Sequence, residues 1–341
     1  MSVPEKIQGW AAIEAKGQLR QIEMPTPKIG PNDVLLKVLA CGVCHSDLHL
    51  INNDWGYSTY PLVPGHEILG KVVARGEGVH HLALDTVVGV GWQRSACLHC
   101  EDCLNARDNM CAESQATCVG HPGGYADFHV SDSRYCFPLP KGMEKPESAP
   151  LLCGGATVFN PLTSLLEGNL ARTGRVGIVG LGGLGHFAAK FARAMGLELT
   201  VFSSSPRKKQ EAEAMGAHHF IASTQPGAIA SQGRTLDMVL VTANVDLPWS
   251  EYLKTIRSEG SLCFVGIPPS AIQVRVGELM GHRVRLTASP IASRAQIHQM
   301  LDFCAVHDIT ADAEVFPMTQ VNDVLQKVKA NQVHYRAVLT R

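Results

Sequence analysis

The stretch VGIVGLGGLGH, residues 176–186, decides the fold of a large part of this chain. Its apolar start predicts a buried β-strand, and its end predicts the first turn of a helix. Between them, Gly180, Gly182 and Gly185 form the pattern G-x-G-x-x-G. In a strand–turn–helix unit these glycines permit a tight turn, close approach of a pyrophosphate and close packing of the helix on the strand. The stretch therefore predicts a dinucleotide-binding loop with the pyrophosphate at a helix N-terminus.

The sequence around this loop alternates between short apolar runs and helical stretches, from about Glu147 to about Ser289. Such alternation is typical of βαβ units and a parallel sheet. After the first strand, HFAAKFARAMG predicts a helix that ends at Gly196, and the next helix is expected to start at Ser205-Pro206. The predicted strands are Arg175–Gly180, Glu198–Phe202, His219–Ala222, Met238–Thr242, Ser261–Gly266 and Val284–Ala288.

The remaining sequence has a different texture. The first 150 residues carry short β-type runs separated by turn residues, which indicates a small antiparallel barrel or sandwich. About fifty residues follow Ser289, too few for a third domain, so they are expected to complete the first one. We therefore expect a first domain at 1–150, completed by 290–341, and a dinucleotide-binding domain at 151–289.

Composition excludes several classes of function. The chain has 341 residues, with 30 Lys+Arg against 31 Asp+Glu and a net charge of -1, which provides no basic surface for nucleic acid. The longest charge-free stretch is interrupted by prolines and glycines, and the N-terminal sequence has no apolar core typical of a secretion signal. We expect a cytoplasmic protein that binds neither nucleic acid nor membrane.

Four of the 11 cysteines lie close together, in the pattern C-x2-C-x2-C-x7-C. One loop carrying such a pattern can surround a tetrahedral zinc ion with four thiolates, and a closed sphere of this kind is structural. An iron–sulfur cluster is the alternative, although the Cys-Pro ending common in bacterial cluster motifs is missing here. The four cysteines are Cys97, Cys100, Cys103 and Cys111.

A second metal site is predicted from residues that are far apart in the sequence. Cys44, His66 and Cys153 could together supply two thiolates and one imidazole, leaving the fourth zinc position open. That layout is typical of catalytic zinc, and this ligand set is a known example from alcohol dehydrogenase. Asp47 is a candidate to orient the His66 ring, and Glu67 could approach the metal during ligand exchange. Each residue alone is more often an ordinary core residue.

The segment TVFSSSPRKK, residues 200–209, bears on the choice of cofactor. A protein that binds NAD usually places Asp or Glu at the end of the second strand, where it binds the ribose hydroxyls. Here serines and then basic residues stand at that place, and they suit a 2′-phosphate, so NADP(H) is favoured. The alternative is that the cations of Arg207–Lys209 are only the solvated first turn of the next helix.

Taken together, these motifs show a family resemblance. The chain resembles the zinc-containing medium-chain alcohol dehydrogenases, and within them the cinnamyl-alcohol-dehydrogenase-type branch with its bacterial NADPH-dependent aldehyde reductases. The fold implied is a GroES-like β-barrel catalytic domain beside a Rossmann domain with a doubly wound parallel sheet, and the active site in the cleft between them. The matching motifs are GVCHSDLH, YPLVPGHEILGKV, VGVGW, the four-cysteine lobe, GGYADF, LLCGGATVF, GLGGLGH, FSSS and HYRAVL.

The resemblance also implies roles for individual residues. Cys44, His66 and Cys153 would hold a catalytic zinc, the second zinc of the chain. Ser46 would pass a proton by way of the nicotinamide ribose to His49, with Asp47 beside them. Trp92 and Trp55 would line the substrate pocket, although ordinary core packing is an equal alternative for Trp55. The expected cofactor contacts are His45, Thr157, Gly180, Gly182, Gly183, Leu184, Gly185, Ser203, Ser204, Ser205, Lys209, Thr242, Val265 and Arg336.

The function implied is reversible hydride transfer between NADP(H) and aldehydes or primary alcohols, aliphatic and aromatic. The resemblance further suggests a homodimer joined through the sheet edge near Arg283–Ala288. For Arg336, a surface position is the alternative to a cofactor contact. Two other functions remain open: an NAD-dependent zinc polyol dehydrogenase, and a zinc- and nucleotide-binding protein without turnover.

Overall fold

The computed structural model describes residues 3–167 and 174–341. Its strands are β1 (Lys6–Ala11), β2 (Arg20–Pro25), β3 (Asp33–Val43), β4 (Ile68–Arg75), β5 (Val87–Val90), β6 (Gln93–Ser95), β7 (Gln115–Ala116), β8 (Phe128–Asp132), β9 (Phe137–Pro138), β10 (Arg175–Val179), β11 (Glu198–Ser203), β12 (His219–Ala222), β13 (Leu236–Val241), β14 (Ile256–Phe264), β15 (Arg285–Ala288), β16 (Ala313–Pro317) and β17 (Arg336–Thr340). Its α-helices are α1 (His45–Asn52), α2 (Glu101–Leu104), α3 (Gly154–Glu167), α4 (Gly185–Ala194), α5 (Lys209–Ala214), α6 (Trp249–Leu253), α7 (Val276–Met280), α8 (Arg294–His307) and α9 (Val321–Lys329).

The chain forms two compact units. Unit 1 comprises Met1–Ala156 and Ala292–Arg341, and unit 2 comprises Thr157–Ile291. The sequence predicts boundaries after residues 150 and 289, whereas in the structure they fall after residues 156 and 291. Because the first boundary falls later than expected, Cys153 belongs to the same unit as Cys44 and His66.

Unit 2 is built on a parallel sheet with the strand order β12-β11-β10-β13-β14-β15. Numbered along this unit, the order is the 3-2-1-4-5-6 arrangement of the Rossmann fold, so the predicted fold class is confirmed. All six predicted strands are present. β14 begins at Ile256 rather than at the predicted Ser261, because Ile256 already pairs with Leu236 across an irregularity in the ladder.

Burial explains why these segments are strands and helices. Every residue of β13 is buried, as expected for a parallel strand covered on both faces. Helix α4 buries Phe187 and Phe191 on one face, and Gly196 follows it with φ of 74°. A positive φ is easily adopted by glycine, so the helix ends where the sequence predicts.

Unit 1 contains a seven-stranded, largely antiparallel sheet in which β3 is the central strand. β3 pairs with β4, β8 and β17, and β17 in turn pairs with β16. The residues after Ala292 therefore supply two strands to this sheet. Helix α9 packs its apolar residues, Val321, Val324, Leu325 and Val328, into the same core as the apolar residues of β3.

None of the described helices is both long and apolar enough to cross a lipid bilayer. This finding holds for residues 3–167 and 174–341. The longest of them, α3 and α8, have 14 residues each, and a bilayer needs about 20.

Candidate active site and metal centres

The four-cysteine lobe brings its sulfurs together in unit 1. Cys97 Sγ lies 3.9 Å from Cys103 Sγ and 3.6 Å from Cys111 Sγ, and all four ligand atoms lie within 4.8 Å of one another. Sulfurs about 2.3 Å from a tetrahedral zinc ion are about 3.8 Å apart, so the spacing fits zinc. Two short elements produce this sulfur spacing. Cys100 immediately precedes α2, Cys103 lies within α2, and Cys111 follows a 3-10 turn.

The protonation of these thiols also fits a bound cation. Backbone amides, chiefly that of His99, lower the pKa of Cys97 to about 6. Burial and the neighbouring cysteines raise the pKa of Cys103 to about 12. Four adjacent thiolates repel one another, and a divalent ion at their centre removes this penalty. The lobe therefore has the donor set and spacing of a structural zinc site.

The second donor set lies in unit 1 and includes the three predicted ligands; His66 is buried and the two cysteines are partly buried. The ligand atoms of Cys44, His66, Glu67 and Cys153 lie within 4.8 Å of one another. Cys44 immediately precedes α1, His66 lies in the loop before β4, and Cys153 follows the 3-10 helix Pro146–Leu152. A contact between the two thiols lowers the pKa of Cys44 and raises that of Cys153. The two sulfurs are therefore close enough to bind the same metal ion.

The His66 ring shows which of its atoms faces the metal position. Nδ1 donates a hydrogen bond to Asp47 Oδ1 at 2.9 Å, since a carboxylate can only accept. Among the described residues, the buried Nε2 has no hydrogen-bond partner. An unpaired polar atom in a protein interior is costly, so Nε2 is suited to bind a metal ion. The donor set therefore fits zinc.

Asp47 organises this site from the fully buried side of α1. Its carboxylate also accepts hydrogen bonds from Cys44 N at 3.0 Å, Gly65 N at 2.9 Å and Tyr125 Oη at 3.2 Å. One carboxylate thereby connects both loops that carry Cys44 and His66. The predicted contact between Asp47 and the His66 ring is present in the structure.

Glu67, the fourth member of the set, forms a buried ion pair with Arg336. Nη2 of Arg336 lies 2.5 Å from Oε1 and 2.6 Å from Oε2 of Glu67. Burial raises the pKa of Glu67 to about 7, and the guanidinium opposes that rise. Arg336 is 6% exposed, which excludes the surface position. Its expected contact with the cofactor stays a prediction.

Both predicted proton-relay residues lie on α1. Ser46 and His49 are partly buried, three residues apart along the helix. His49 Nδ1 donates to Asp54 Oδ2 at 2.8 Å, and the sequence analysis did not single out this carboxylate. Asn53 has φ of 59° and turns the chain back after α1, so that the backbone N–H of Asp54 donates to His49 O. In the sequence, the only sign of this contact is that Asp54, a carboxylate residue, lies just beyond the C-terminus of α1.

Aromatic side chains connect the relay to the metal donor set. The Trp92 ring stands edge-on to His66 with centroids 5.0 Å apart, and Trp55 packs against Trp92 at 5.9 Å. Trp55 also packs on His49 at 5.2 Å and on Tyr57 at 5.8 Å. Trp92 lines a cavity of about 480 Å³, while Trp55 supports its wall from behind. The residues lining this cavity are Tyr57, Trp92, Ser114, Gln115, Ala116, Val119 and His121.

The glycine-rich loop of unit 2 has the geometry that its pattern predicts. Gly180 follows β10 with φ of 95°, and α4 begins at Gly185. A Cβ at Gly185 would collide with the Gly180 carbonyl oxygen, whereas the space beside Gly182 is open. Thr242 Oγ1 donates to the carbonyl oxygens of Val179 and Gly180 at 2.9 and 3.0 Å. The loop therefore leaves room for a phosphate group at the start of α4.

The basic residues after β11 are arranged differently from the expectation. Lys208 Nζ donates to Leu181 O at 2.5 Å, within the glycine-rich loop. Lys209 instead lies 3.8 Å from Glu213 on an exposed face. Burial lowers the pKa of Lys208. Lys208, one of the three cations expected near a 2′-phosphate, is thus the lysine that reaches the dinucleotide-binding loop, rather than Lys209, the lysine expected to contact the cofactor.

The other expected cofactor residues are found in both units. Ser203 is buried and its Oγ accepts a hydrogen bond from Ser205 N at 3.2 Å, while Ser204 is exposed. Val265 follows β14, and its N–H donates to Val241 O. His45, at the start of α1, and Thr157, in α3, are partly buried. Their contacts with a cofactor stay predictions.

Comparisons with known proteins bear on the same residues. A family model described as "Alcohol dehydrogenase GroES-like domain" matches residues 30–141, and one described as "Zinc-binding dehydrogenase" matches residues 183–306. An aldehyde reductase of Synechocystis is 42% identical, over 98% of both chains. This chain belongs to the zinc-containing medium-chain alcohol dehydrogenases. The predicted family is therefore confirmed.

Solved structures of this family place the chain in its cinnamyl-alcohol-dehydrogenase-type branch. A cinnamyl alcohol dehydrogenase of Sorghum bicolor superposes with a TM-score of 0.93 at 35% identity, covering 98% of this chain and 97% of the other. The CAD of Helicobacter pylori, complexed with NADP(H), superposes with a TM-score of 0.89 at 30% identity, covering 98% of each chain. The predicted pairing of a GroES-like domain with a Rossmann domain is confirmed by these matches.

Proposed function

We propose that this protein is an NADP(H)-dependent zinc alcohol dehydrogenase that interconverts aldehydes and primary alcohols, both aliphatic and aromatic. The observation that carries the proposal is the set of Cys44, Cys153 and the buried His66, whose Nε2 has no hydrogen-bond partner among the described residues. Three ligands of this kind leave one zinc position for a substrate oxygen. The names of the Synechocystis and Helicobacter relatives support the same activity and cofactor.

Bound zinc would supply a Lewis acid for the carbonyl oxygen, and bound NADPH would supply the hydride. The residues of the chain hold and orient these groups. Asp47 keeps the proton of His66 on Nδ1 and so leaves the Nε2 lone pair available. Tyr125 and two backbone amides fix the Asp47 carboxylate, so the ring orientation depends on α1 and the loop before β4.

The proton needed for reduction is supplied by α1. Ser46 donates its hydroxyl proton to the product oxygen, and His49, whose side chain is 38% exposed, restores it from solvent. Asp54 accepts a hydrogen bond from His49 Nδ1 and fixes the orientation of the ring. This arrangement leaves Nε2 as the atom that exchanges the proton.

A panel of aliphatic and aromatic aldehydes, assayed with NADPH and with NADH, tests the proposed activity. We expect NADPH-dependent reduction of several aldehydes and oxidation of the corresponding primary alcohols. Removal of zinc with a chelator should abolish turnover, and zinc should restore it. An active protein that turns over polyols with NAD instead would favour the alternative function.

The preference for NADP(H) is supported by the end of β11. The segment carries three serines and no carboxylate, and Lys208 extends to the adjacent glycine-rich loop. A cation there can pair with a 2′-phosphate, which NADH lacks. We expect Lys208→Gln to raise the KM for NADPH by about tenfold or more and to leave the KM for NADH nearly unchanged. Equal effects on both cofactors would contradict this assignment of Lys208, and Lys209→Gln is the matched control.

A homodimer is proposed from the edge of the unit 2 sheet. β15 is an outermost strand with all four residues exposed, including Leu286, and the preceding helix α7 exposes Val276 and Met280. An exposed strand edge with apolar neighbours is suited to pairing with a second copy. Sedimentation should give twice the chain mass of 36.7 kDa, and Leu286→Lys should shift it toward the monomer. A wild-type monomer would refute the proposal.

A cytoplasmic location is proposed from the cysteines. All eleven are free thiols in the structure, and such thiols persist in a reducing compartment. Fractionation of cells that express the protein should recover it with other cytoplasmic enzymes. Recovery from an oxidising compartment, with disulfides formed, would contradict this location.

A further inference from the structure

The cavity beside Trp92 lies entirely within unit 1 and adjoins the metal donor set. Trp92 lines it and also contacts the His66 ring, so a single indole separates the cavity from a zinc ligand. Its volume of about 480 Å³ is within the usual range for small-molecule sites. A substrate whose carbonyl is held at the metal position would have to extend past the Trp92 ring to place its distal part here. This inference rests on the proposed function.

One part of the cavity wall is apolar and aromatic. Trp92, Tyr57 and Val119 form it, and Trp55 packs behind both aromatic rings. Flat π-faces and an aliphatic side chain bind an aromatic ring or an alkyl chain well. The middle of a substrate in this cavity is therefore expected to be apolar.

The remainder of the wall is polar, and an arginine lies behind it. Arg94 Nη1 donates to His121 Nε2 at 3.2 Å. Gln115 Oε1 lies 3.3 Å from the same nitrogen of His121. Because a guanidinium can only donate, the Arg94 contact requires the ring proton on Nδ1, and the Gln115 amide must then turn its NH2 group toward Nε2. Burial and the charge of Arg94 lower the pKa of His121, and the Asp33 carboxylate opposes them. The lining ring is therefore a neutral hydrogen-bond donor placed against a permanent cation.

The charge of Arg94 is not neutralised by the protein. Among the described residues no carboxylate lies within 4.0 Å of its guanidinium, and its buried Nε has no hydrogen-bond partner. The Asp33 carboxylate accepts a hydrogen bond from Gly30 N, and the Glu113 carboxylate lies beside His99. A partly buried cation without a counter-ion is unfavourable, and a bound anion would relieve the penalty.

We propose that the cavity selects aldehydes that carry a carboxylate at the end of an apolar spacer. The aromatic wall binds the spacer, and His121, with Gln115 and Ser114 beside it, donates hydrogen bonds to the carboxylate. Arg94 supplies the compensating charge from behind His121. None of the seven lining residues, all within the described chain, is acidic; the Asp33 carboxylate acts on His121 only from outside the lining.

Three aldehydes that share one ring test this selection: 4-formylbenzoate, its methyl ester and benzaldehyde. The ester group withdraws electrons more strongly than the carboxylate, so the aldehyde of the ester is intrinsically the more reactive toward hydride. A preference for 4-formylbenzoate would therefore have to come from binding. We expect the wild type, with NADPH, to show a higher kcat/KM for 4-formylbenzoate than for the ester. Arg94→Gln should lower the ratio of these two values by at least about tenfold. Raised ionic strength should lower it in the wild type.

A second variant and a control distinguish a specific effect on the ratio from misfolding of the Arg94→Gln variant. Gln115 is exposed, so Gln115→Glu should fold normally, and its new carboxylate should also lower the ratio. Arg20→Gln removes the same charge from an exposed position on β2 and should leave the ratio unchanged. Inactivity toward all three aldehydes with both cofactors would contradict the proposed function itself. If all three aldehydes are reduced but the ratio of the kcat/KM values is the same in wild type, Arg94→Gln and Gln115→Glu, this inference alone is contradicted.

Discussion

His129, on β8 next to the Arg94 and His121 cluster, should make the stability of unit 1 depend on pH. Its ring is 1% exposed, Nδ1 donates to Pro122 O at 3.0 Å, and the buried Nε2 has no partner in the described chain. Burial lowers the pKa of His129 from 6.5 to about 4. Between these two pH values the unfolded chain binds a proton that the folded chain does not. Stability therefore falls as the pH drops, by about 1.4 kcal/mol per pH unit and about 3 kcal/mol in total.

Replacement of this ring by an amide isolates the effect. His129→Gln keeps a donor for the Pro122 carbonyl and removes the titrating group. Urea unfolding of variant and wild type, measured side by side from pH 7 to pH 4, should show the wild type losing about 3 kcal/mol more. Comparison at each pH cancels contributions from other groups, including loss of metal in acid. His80→Gln, at an exposed position, is the control, and parallel pH profiles for wild type and His129→Gln would refute the reasoning.

Five further substitutions separate the parts of the proposed site. Cys44→Ser should leave one zinc ion per chain by elemental analysis and reduce kcat by at least about a thousandfold. Cys100→Ser should mainly lower the Tm. Similar losses of Tm in both variants would argue against two different metal centres. His49→Gln should lower kcat about a hundredfold and change its pH dependence, and Asp54→Asn should cause a smaller loss of kcat; an unaltered pH profile in His49→Gln would exclude the relay. Gly185→Ala should destabilise the protein by about 1–3 kcal/mol and raise the KM for NADPH, because its Cβ would meet the carbonyl oxygen of the preceding turn; an unchanged Tm would show that the turn can adjust.

Features set by neighbouring residues could be predicted from the sequence. The glycine-rich loop, the strands of unit 2 and the four-cysteine lobe each depend on residues within a short segment. Periodicity and spacing therefore describe them well. The ligands Cys44, His66 and Cys153 are distant in sequence, and their assignment relied on a family resemblance as well as on their chemistry. The structure brings them together.

Side-chain direction after a turn could not be predicted. The segment after β11 begins with a 3-10 turn at Pro206–Lys208, which has about three residues per turn rather than 3.6. This shift brings Lys208, not Lys209, to the glycine-rich loop. Likewise, Asp54 reaches His49 only because the backbone reverses after α1. Such contacts depend on local backbone angles that composition and spacing do not determine.

The division of the chain has a consequence for its synthesis. Unit 2 is continuous, whereas the central strand β3 of unit 1 must wait for β17, which is synthesised only after the whole of unit 2. Proteins are made from the N-terminus at about 5–20 residues per second, so the nucleotide-binding half can finish folding while its neighbour still has an open sheet edge. Nascent chains stalled before residue 336 should therefore be the form of this protein that chaperones recognise, because that edge is then uncovered.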